Sequence, residues 1–491
     1  MVVKLQRPIL VGGLGLSFSL WILQSWHDSI VQLGEYSVLS LLLIGGGLLL
    51  LKQNRAKDNS QVLDSLPVDR ETVESAIAKA EVVINHLAGE AENHVETLHA
   101  TSLLREKIPQ LYQELDRQEI HLAVTGGKSV GKSTLIEVLK SNWQPEIQRQ
   151  VYLQETAPLF AQAGETSDAT ALTKAKATDF ILFLTNGDLT DTEFQTIQQL
   201  KAENHRLMLV FNKQDQYLVD ERASVLLSLK QRIQANVVAT AASPVPVKVR
   251  KYNDDGSVQE WMEQPAPDIQ QLTQDLGEIL TQQGQQLVWA TTMRKALLLK
   301  AEAKNYLNGI RRDRANPVIE QYQWIAAAAA FANPVPALDI LATAAINAQM
   351  IVDLGNVYQQ KFSLEQAKTV AGEMGSLMLK LGLVELSSKA IGTVLKSHAV
   401  TFVAGGAVQG VSAAYLTRLA GLSLIEYFQQ QEVAANTATG FNVEKLGQTL
   451  QKVFQQNQQV TFLQGFVNQG VKRLLPEVSE GELVGAQKAV G

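Results

Sequence analysis

Glycine, lysine and serine residues occur in one short segment of this chain with the spacing of loops that hold phosphate. Four residues separate Gly126 from the run Gly131, Lys132 and Ser133, and the segment lies between an apolar stretch and an amphipathic one. Glycines let successive backbone N–H groups surround a phosphate, and the start of the following helix adds partial positive charge. We expect Lys132 to contact the β- and γ-phosphates of a nucleotide and the Ser133 hydroxyl to bind Mg²⁺. A plain glycine-rich turn is the alternative. The predicted phosphate-binding residues are Gly126, Lys128, Ser129, Val130, Gly131, Lys132, Ser133 and Thr134.

A second motif, Asn212-Lys213-Gln214-Asp215, begins eighty residues after Lys132 and follows another apolar stretch. Asn-Lys-x-Asp at the end of a late strand is the guanine-reading signature of GTPases. Its aspartate accepts hydrogen bonds from the guanine N1–H and 2-amino groups, which adenine cannot supply. Thr240-Ala241 resembles the Ser-Ala motif whose backbone supports the base. The predicted guanine-binding residues are Asn212, Lys213, Asp215, Thr240 and Ala241.

With these motifs in place, residues 119–243 resemble the Era/EngA-like group of GTPase domains. The resemblance is carried by Gly-Lys-Ser-Thr-Leu-Ile, Asp-Phe-Ile-Leu-Phe-Leu-Thr-Asn-Gly-Asp-Leu-Thr and Asn-Lys-Gln-Asp. It implies an α/β P-loop NTPase domain with GTP and Mg²⁺ as ligands. Short apolar segments that alternate with helical ones independently predict a mostly parallel sheet. The predicted strands are Ile120–Thr125, Val151–Gln154, Phe180–Thr185, Leu207–Asn212 and Val237–Thr240.

The segments that GTPases use for hydrolysis depart from the family pattern. Only twenty residues separate Thr134 from Glu155, too few for a full switch I with its own strand. Glu155-Thr-Ala-Pro158 stands where the family has Asp-x-x-Gly, and we expect Glu155 to hold Mg²⁺ through water. Pro158 has no N–H for the γ-phosphate, and the next residue is Leu159 instead of a water-orienting glutamine. GTP binding is therefore predicted, efficient hydrolysis is not, and the catalytic residue is unassigned. Candidates for replacing it, expected in the following loop, are Asp168, Thr170 and Thr173.

Two segments near the N-terminus, residues 8–26 and 36–51, contain no charged side chain. The first is close to the ~20 residues that a bilayer-spanning helix needs, and the second is slightly shorter. Lysine and arginine flank the pair on its outer sides and are missing from the loop between them, so the positive-inside rule places both ends in the cytoplasm. A cleaved signal peptide is the first alternative, but it requires a small-residue cleavage site, and the first alanine of the chain is Ala56. Buried core helices are the second alternative, favoured by the glycines at 45–47. We predict an integral protein of a bacterial membrane, in contact with lipid, with the nucleotide domain on the cytoplasmic face.

From about Gln285 onward, helical patterning continues to the end of the chain. Residues 290–430 are similar to an uncharacterised helical domain that follows GTPase domains in bacterial membrane-associated proteins. Ala-Asn-Pro-Val-Pro-Ala-Leu-Asp and Ala-Ile-Asn-Ala-Gln-Met-Ile-Val-Asp-Leu-Gly carry this resemblance, which supplies no mechanism. Gly406 and Gly410 have a spacing that allows close helix contact. A buried bundle and a partly membrane-embedded one both fit the pattern.

Composition argues against several classes of function. The net charge of −6 gives no electrostatic case for binding nucleic acid, which requires a basic face, and the absence of cysteine excludes disulfides, thiol nucleophiles and thiolate metal sites. The predicted fold is an N-terminal transmembrane hairpin, an α/β domain and an all-α C-terminal domain. The leading hypothesis is a membrane-anchored GTP-binding protein with a protein partner or self-association. The alternative is a pseudo-GTPase scaffold without turnover, and transport is a weaker third. The predicted regions are a hairpin 1–57, a helical linker 58–118, a GTPase-like domain 119–284 with a β-hairpin at about 247–262, an apolar helical domain 285–435 and a helical tail 436–491.

Overall fold

The computed structural model describes residues 68–91, 95–144, 149–160, 167–233, 236–252, 258–332, 336–396, 405–431, 441–458 and 460–474. None of the helices within these ranges is long and apolar enough to cross a membrane. The segments 8–26 and 36–51, predicted to form the transmembrane hairpin, lie outside the described residues.

Five parallel strands form one sheet in the order β2-β1-β3-β4-β5. This agrees with the predicted parallel α/β domain. Every residue of β3 is buried, because helices cover both faces of the sheet and leave no face for polar side chains. In β2, at the edge of the sheet, the residues are exposed or half-buried. The strands are β1 (Glu119–Gly126), β2 (Gln150–Glu155), β3 (Phe180–Thr185), β4 (Leu207–Phe211) and β5 (Val237–Ala239).

Four helices connect these strands. The helix after β3 begins with a capping box, in which the Thr190 hydroxyl accepts from the Glu193 N–H and the Glu193 carboxylate accepts from the Thr190 N–H. The helices are α3 (Lys132–Asn142), α4 (Ser167–Lys176), α5 (Asp191–Ala202) and α6 (Val219–Ile233), with α1 (Arg70–Glu90) and α2 (Val95–Glu114) preceding the sheet. The prediction that the candidates at 168, 170 and 173 lie in a loop was wrong, because all three are within α4.

A single 63-residue helix, α7 (Gln270–Ala332), connects all parts of the described chain. The helix predicted near Asp268–Gln282 does not end there, and it passes the expected boundary at 284/285 without interruption. Its first turns pack on the sheet through residues such as Leu276. Its middle packs against α1 and α2, and its last turns enter the C-terminal bundle. At about 1.5 Å per residue it is roughly 95 Å long.

The C-terminal helices form one bundle around a large apolar core. Leu450 and Phe466, from the segment predicted as a separate tail, are buried in that core. The expected division at 435/436 therefore does not separate two packing units. At Gly410 of α11 an added Cβ would lie 2.9 Å from the backbone oxygen of Ala327, so a glycine allows α11 to approach α7. The helices are α8 (Pro336–Val357), α9 (Leu364–Lys380), α10 (Leu383–Lys396), α11 (Gly405–Gln430), α12 (Val443–Gln456) and α13 (Val460–Leu474).

The predicted β-hairpin is present between β5 and α7. Strands β6 (Val247–Tyr252) and β7 (Val258–Glu263) pair antiparallel and form a separate two-stranded sheet. Nearly all of its residues are exposed.

Candidate functional site

The loop between β1 and α3, residues 126–131, is called the phosphate loop below because of its sequence motif. Its backbone conformation is one that only particular residues tolerate. Gly126 has φ of 141° and Gly131 has φ of 95°, and Ser129 between them has φ of 60°. A Cβ on Gly126 would lie 2.3 Å from the backbone oxygen of Leu184 in the neighbouring strand β3. The glycines therefore allow both the left-handed turns and the close contact with the sheet. Lys128 and Ser129 are exposed at the tip of this loop.

Lys132, the first residue of α3, lies inside the loop. It is 6 % exposed, and its ammonium group donates hydrogen bonds to the backbone oxygens of Gly126 at 3.1 Å and Gly127 at 2.7 Å. Burial lowers the pKa of Lys132, and the nearby Glu155 carboxylate opposes that shift. The loop therefore holds a cation whose present partners are neutral carbonyls, and a phosphate is a stronger acceptor for the same donor.

Ser133 and Glu155 are brought together although they are 22 residues apart. The Ser133 hydroxyl donates to Glu155 Oε1 at 2.9 Å. Parallel pairing of β1 with β2 places Glu155 opposite Val124, at the end of the sheet from which the phosphate loop emerges. A hydroxyl and a carboxylate are the oxygen ligands that Mg²⁺ prefers, so this pair fits the ion predicted for it. Thr134 follows in the first turn of α3 and is half-buried.

Asn212 connects the phosphate loop to the loop after β5. Its Nδ2 donates to the backbone oxygen of Val130 at 2.9 Å. Its Oδ1 accepts from the Thr240 hydroxyl and from the Ala242 N–H, both at 3.1 Å. All three bonds are buried, so this side chain holds the loops of two distant strands in one arrangement.

Lys213 and Asp215 extend from Asn212 towards solvent. Lys213 has φ of 63°, and its ammonium group donates to the backbone oxygen of Ser129 at 2.8 Å. Asp215 is exposed, and its Oδ2 accepts from the Val245 N–H at 2.8 Å. Among the described residues this carboxylate thus accepts one hydrogen bond and is otherwise exposed to solvent.

Sequence reasoning missed two residues that support this end of the site. Asp268 exchanges backbone hydrogen bonds with Ala241 at 2.9 Å, and its carboxylate accepts from the Gln214 side chain at 2.8 Å. The backbone of Ala242 binds Asn212 beside Thr240. The run Thr240-Ala241-Ala242 is a signal for the second residue, whereas nothing in the local sequence marks the first.

The segment after Glu155 runs along the entrance of the phosphate loop. The Leu159 N–H donates to the backbone oxygen of Gly126 at 3.0 Å, and the Phe160 N–H donates to Asp168 Oδ1, also at 3.0 Å. Leu159 itself is buried. The two amides that follow Pro158 are therefore already engaged, and one of them occupies the carboxylate that was a candidate for catalysis. Of the other candidates, Thr173 donates to a backbone oxygen of its own helix and Thr170 lies in the same helix.

Residues 298–459 match the model of a family described as a domain of unknown function, DUF697. This region extends from the middle of α7 through α12, and it makes up less than half of the chain. A search of curated proteins finds no match. The helical domain recognised in the sequence is thus a described domain type whose function is not assigned.

Solved structures that resemble the chain include the LeoA bacterial dynamin GTPase from ETEC, at 13 % identity over 82 % of this chain and 94 % of that one, with a TM-score of 0.24. The cytosolic domain of the T. maritima FeoB iron transporter in its GMPPNP form matches at 12 % identity, 25 % of this chain and 57 % of that one, with a TM-score of 0.20. A GTP-binding protein from Sulfolobus solfataricus in complex with GDP matches at 14 % identity over 36 % of this chain and 63 % of that one, with a TM-score of 0.21.

This chain therefore covers little more than half of the FeoB domain. TM-scores of 0.20 to 0.24 are too low to assign a fold, and the resemblance to Era and EngA stays a prediction. The assignment of a P-loop-like α/β domain rests on the parallel sheet and on the loop between β1 and α3.

Proposed function

We propose that this protein binds GTP together with Mg²⁺. The observation that carries the proposal is the set of hydrogen bonds from Asn212, which joins the phosphate loop at Val130 to the base-reading loop at Thr240. A nucleotide spans such a pair of loops, with its phosphates at one and its base at the other. Lys132 and the loop amides hold the phosphates, and Ser133 with Glu155 holds the metal ion, which neutralises phosphate charge.

Selectivity for guanine comes from Asp215. Its carboxylate accepts one backbone N–H, from Val245, and a carboxylate offers about four acceptor positions. It therefore has capacity for the two donors on the guanine edge. Adenine presents no such pair of donors, and an aspartate that loses solvent without gaining a partner disfavours that base.

Hydrolysis is weak or depends on a partner. The amide that would contact a γ-phosphate is missing at Pro158, and a buried leucine follows it. The next N–H groups are already bonded to Gly126 and Asp168. The same observations favour a second candidate, a pseudo-GTPase that binds nucleotide and acts as a scaffold without turnover.

Membrane anchoring through residues 8–26 and 36–51 is part of the proposal, with the nucleotide domain on the cytoplasmic face of a bacterial membrane. The continuous helix α7 supports coupling between the two domains, because one helix packs on the nucleotide domain and on the helical bundle. A nucleotide-dependent change at the sheet would be transmitted along it to lipid, to a protein partner or to a second copy.

Binding is tested with fluorescent mant-GTP and mant-ATP on the full chain in detergent. We expect Mg²⁺-dependent binding of mant-GTP, at least tenfold weaker binding of mant-ATP, loss of affinity in Lys132→Ala and loss of base selectivity in Asp215→Asn. Lys230→Gln, an exposed change on α6, is the matched control. Equal affinity for the two nucleotides in the unchanged protein would refute guanine selectivity.

Turnover is measured separately, as single-turnover phosphate release with and without lipid vesicles. Release that is faster than GTP in buffer and is lost in Lys132→Ala supports the enzyme. Release no faster than in buffer, with binding intact, supports the scaffold. Protease protection in sealed vesicles tests the orientation, because a cytoplasmic nucleotide domain is cleaved only when that face is accessible.

A further inference from the structure

A cavity of about 410 Å³ opens at the end of the sheet opposite the phosphate loop. It lies where β3 and β4 begin, and one side of α7 closes it. Its volume is within the range of small-molecule sites, about 300–1,000 Å³. The residues discussed above for nucleotide binding do not line it. It is therefore a separate candidate site on the α/β domain.

The charged residues that line the cavity are all cationic. They are Lys201 at the end of α5, Arg206 at the start of β4 and Arg294 on α7. Lys201 donates to the backbone oxygen of Ile233 at 2.8 Å, and Arg206 is exposed. No aspartate or glutamate is among the lining residues, so the cavity concentrates positive charge.

Arg294 has only neutral partners within the described part of the chain. Its guanidinium donates to the backbone oxygens of Asn204 at 3.1 Å and Thr178 at 3.2 Å, and to the Thr291 hydroxyl at 2.9 Å. Its Nε is buried and has no hydrogen-bond partner there. Burial lowers the pKa of Arg294 to about 10, although the charge of Asp179 opposes the shift.

Two acids that neighbour lining residues in the sequence, Asp179 and Glu203, are already paired. Asp179 is bound in two places by Arg117, with N–O distances of 3.0 and 2.7 Å. Glu203 pairs with Lys176 at 2.7 Å. Within the described part of the chain, neither of these carboxylates forms a salt bridge with a lining cation.

His205, which also lines the cavity, is a buried imidazole. It is 7 % exposed, and its Nδ1 is buried without a hydrogen-bond partner in the described structure. Burial, with smaller contributions from Arg294 and Lys176, lowers its pKa to about 4, and the nearby Glu203 carboxylate opposes the shift. The imidazole is therefore neutral at pH 7, and the positive charge of the cavity comes from its lysine and arginine residues.

We propose that this cavity is a binding site for a small organic molecule that carries a phosphate group. The phosphate pairs with Arg206 and Arg294. The rest of the molecule lies against amide side chains and apolar side chains of α7, which are Gln283, Gln286, Met293 and Leu297. The proposal is independent of GTP binding at the phosphate loop.

The test is isothermal titration calorimetry of the full chain in detergent with glucose 6-phosphate and with inorganic phosphate. Because the phosphate loop also attracts phosphate, each titration is done in a Lys132→Ala background. We expect binding in that background, tighter for the sugar phosphate than for phosphate. Arg206→Gln and Arg294→Met should each weaken it about tenfold or more, since each removes charge-assisted hydrogen bonds.

Arg206→Gln changes an exposed side chain and is expected to fold normally, so it remains informative if Arg294→Met does not fold. Lys368→Gln, which removes an exposed positive charge from α9 in the C-terminal bundle, should leave the affinity unchanged. Two results would overturn the proposal: no binding of either compound in the Lys132→Ala background, or equal affinity in Arg206→Gln and Lys368→Gln. Neither of them depends on whether GTP binds.

Discussion

The side-chain amide of Asn212 donates a buried 2.9 Å hydrogen bond to the backbone oxygen of Val130, 82 residues earlier in the chain. The bond joins the loop after β4 to the phosphate loop after β1, two strands that β3 separates in the sheet. The two loops are therefore held in register by one side chain before any ligand binds. Preorganisation of this kind reduces the entropy that a ligand has to overcome.

Asn212→Ala is expected to destabilise the α/β domain by about 3 kcal/mol, because it leaves three buried polar groups without a partner. Affinity for mant-GTP should fall with it. The urea midpoint and the nucleotide titration are the two measurements. Gln216→Ala is the control. It removes an exposed side-chain amide four residues after Asn212 and should change neither the urea midpoint nor the affinity. A stable variant with unchanged affinity would show that the bridge is dispensable.

Gly131→Ala should be destabilising for two reasons. The residue has φ of 95°, and its new Cβ would lie 2.3 Å from Asn212 Nδ2. We expect a loss of about 2 kcal/mol or more, with displacement of the Asn212 bridge. Gly277→Ala in α7 is the matched control, because nothing lies within 4 Å of its Cβ. There alanine should stabilise the helix by about 0.5–1 kcal/mol. Thermal unfolding of both variants decides the prediction, which fails if their shifts have the same sign.

Glu90→Ala should detach the end of α1 from α7. Glu90 accepts from Arg311 at 2.6 Å and from Arg314 at 3.2 Å, and the Glu90 and Arg311 side chains are 9 % and 5 % exposed. Removing the carboxylate leaves a buried arginine unpaired, at a cost of about 3–5 kcal/mol. Glu74→Ala breaks the exposed pair with Arg70 on the same helix and should cost about 0.5 kcal/mol or less. Urea unfolding compares them, and a similar loss in both would contradict the prediction.

His205 should make folding less favourable as the pH falls. Its pKa is about 4 in the folded protein, against 6.5 for an unperturbed histidine, because burial disfavours the charged form. Between these values the unfolded chain binds more protons, so stability rises with pH through this window and levels off above it. His205→Gln should flatten that part of the profile, measured as Tm from pH 4 to pH 7.

His121→Gln controls for the loss of an imidazole at a place where the side chain is 39 % exposed. It should keep the slope of the unchanged protein. If His205→Gln also keeps that slope, other groups cause the pH dependence.

The local elements of the nucleotide domain could be predicted because neighbouring residues encode them. An apolar run predicts a strand, a glycine loop a turn and an amphipathic stretch a helix, without reference to distant residues. The five strands lie close to the predicted ranges. The proximity of Ser133 and Glu155 is explained in the same way, since Ser133 begins the helix that follows β1 and Glu155 ends the neighbouring parallel strand β2.

Contacts between distant segments could not be predicted in the same way. The helix was expected to end near residue 282, and it continues to Ala332. Periodicity shows that a segment is helical, but it does not show that the packing partner changes along the helix. Helix α7 keeps one pattern of apolar residues while it passes from the sheet to α1 and then to the bundle. Asp268 was missed because its role depends on a backbone pairing with Ala241.

The sequence by itself determined the chemistry of the phosphate loop and the departures from the hydrolytic pattern, because each resides in a few consecutive residues. The tertiary structure decided how distant parts of the chain meet. Asn212 binds Val130, α7 extends from the sheet to the C-terminal bundle, and a cationic cavity lies at the end of the sheet opposite the phosphate loop. These relationships come from strand order and from helix packing over long separations. They depend on which surfaces the whole chain can bury together, and no short segment specifies that.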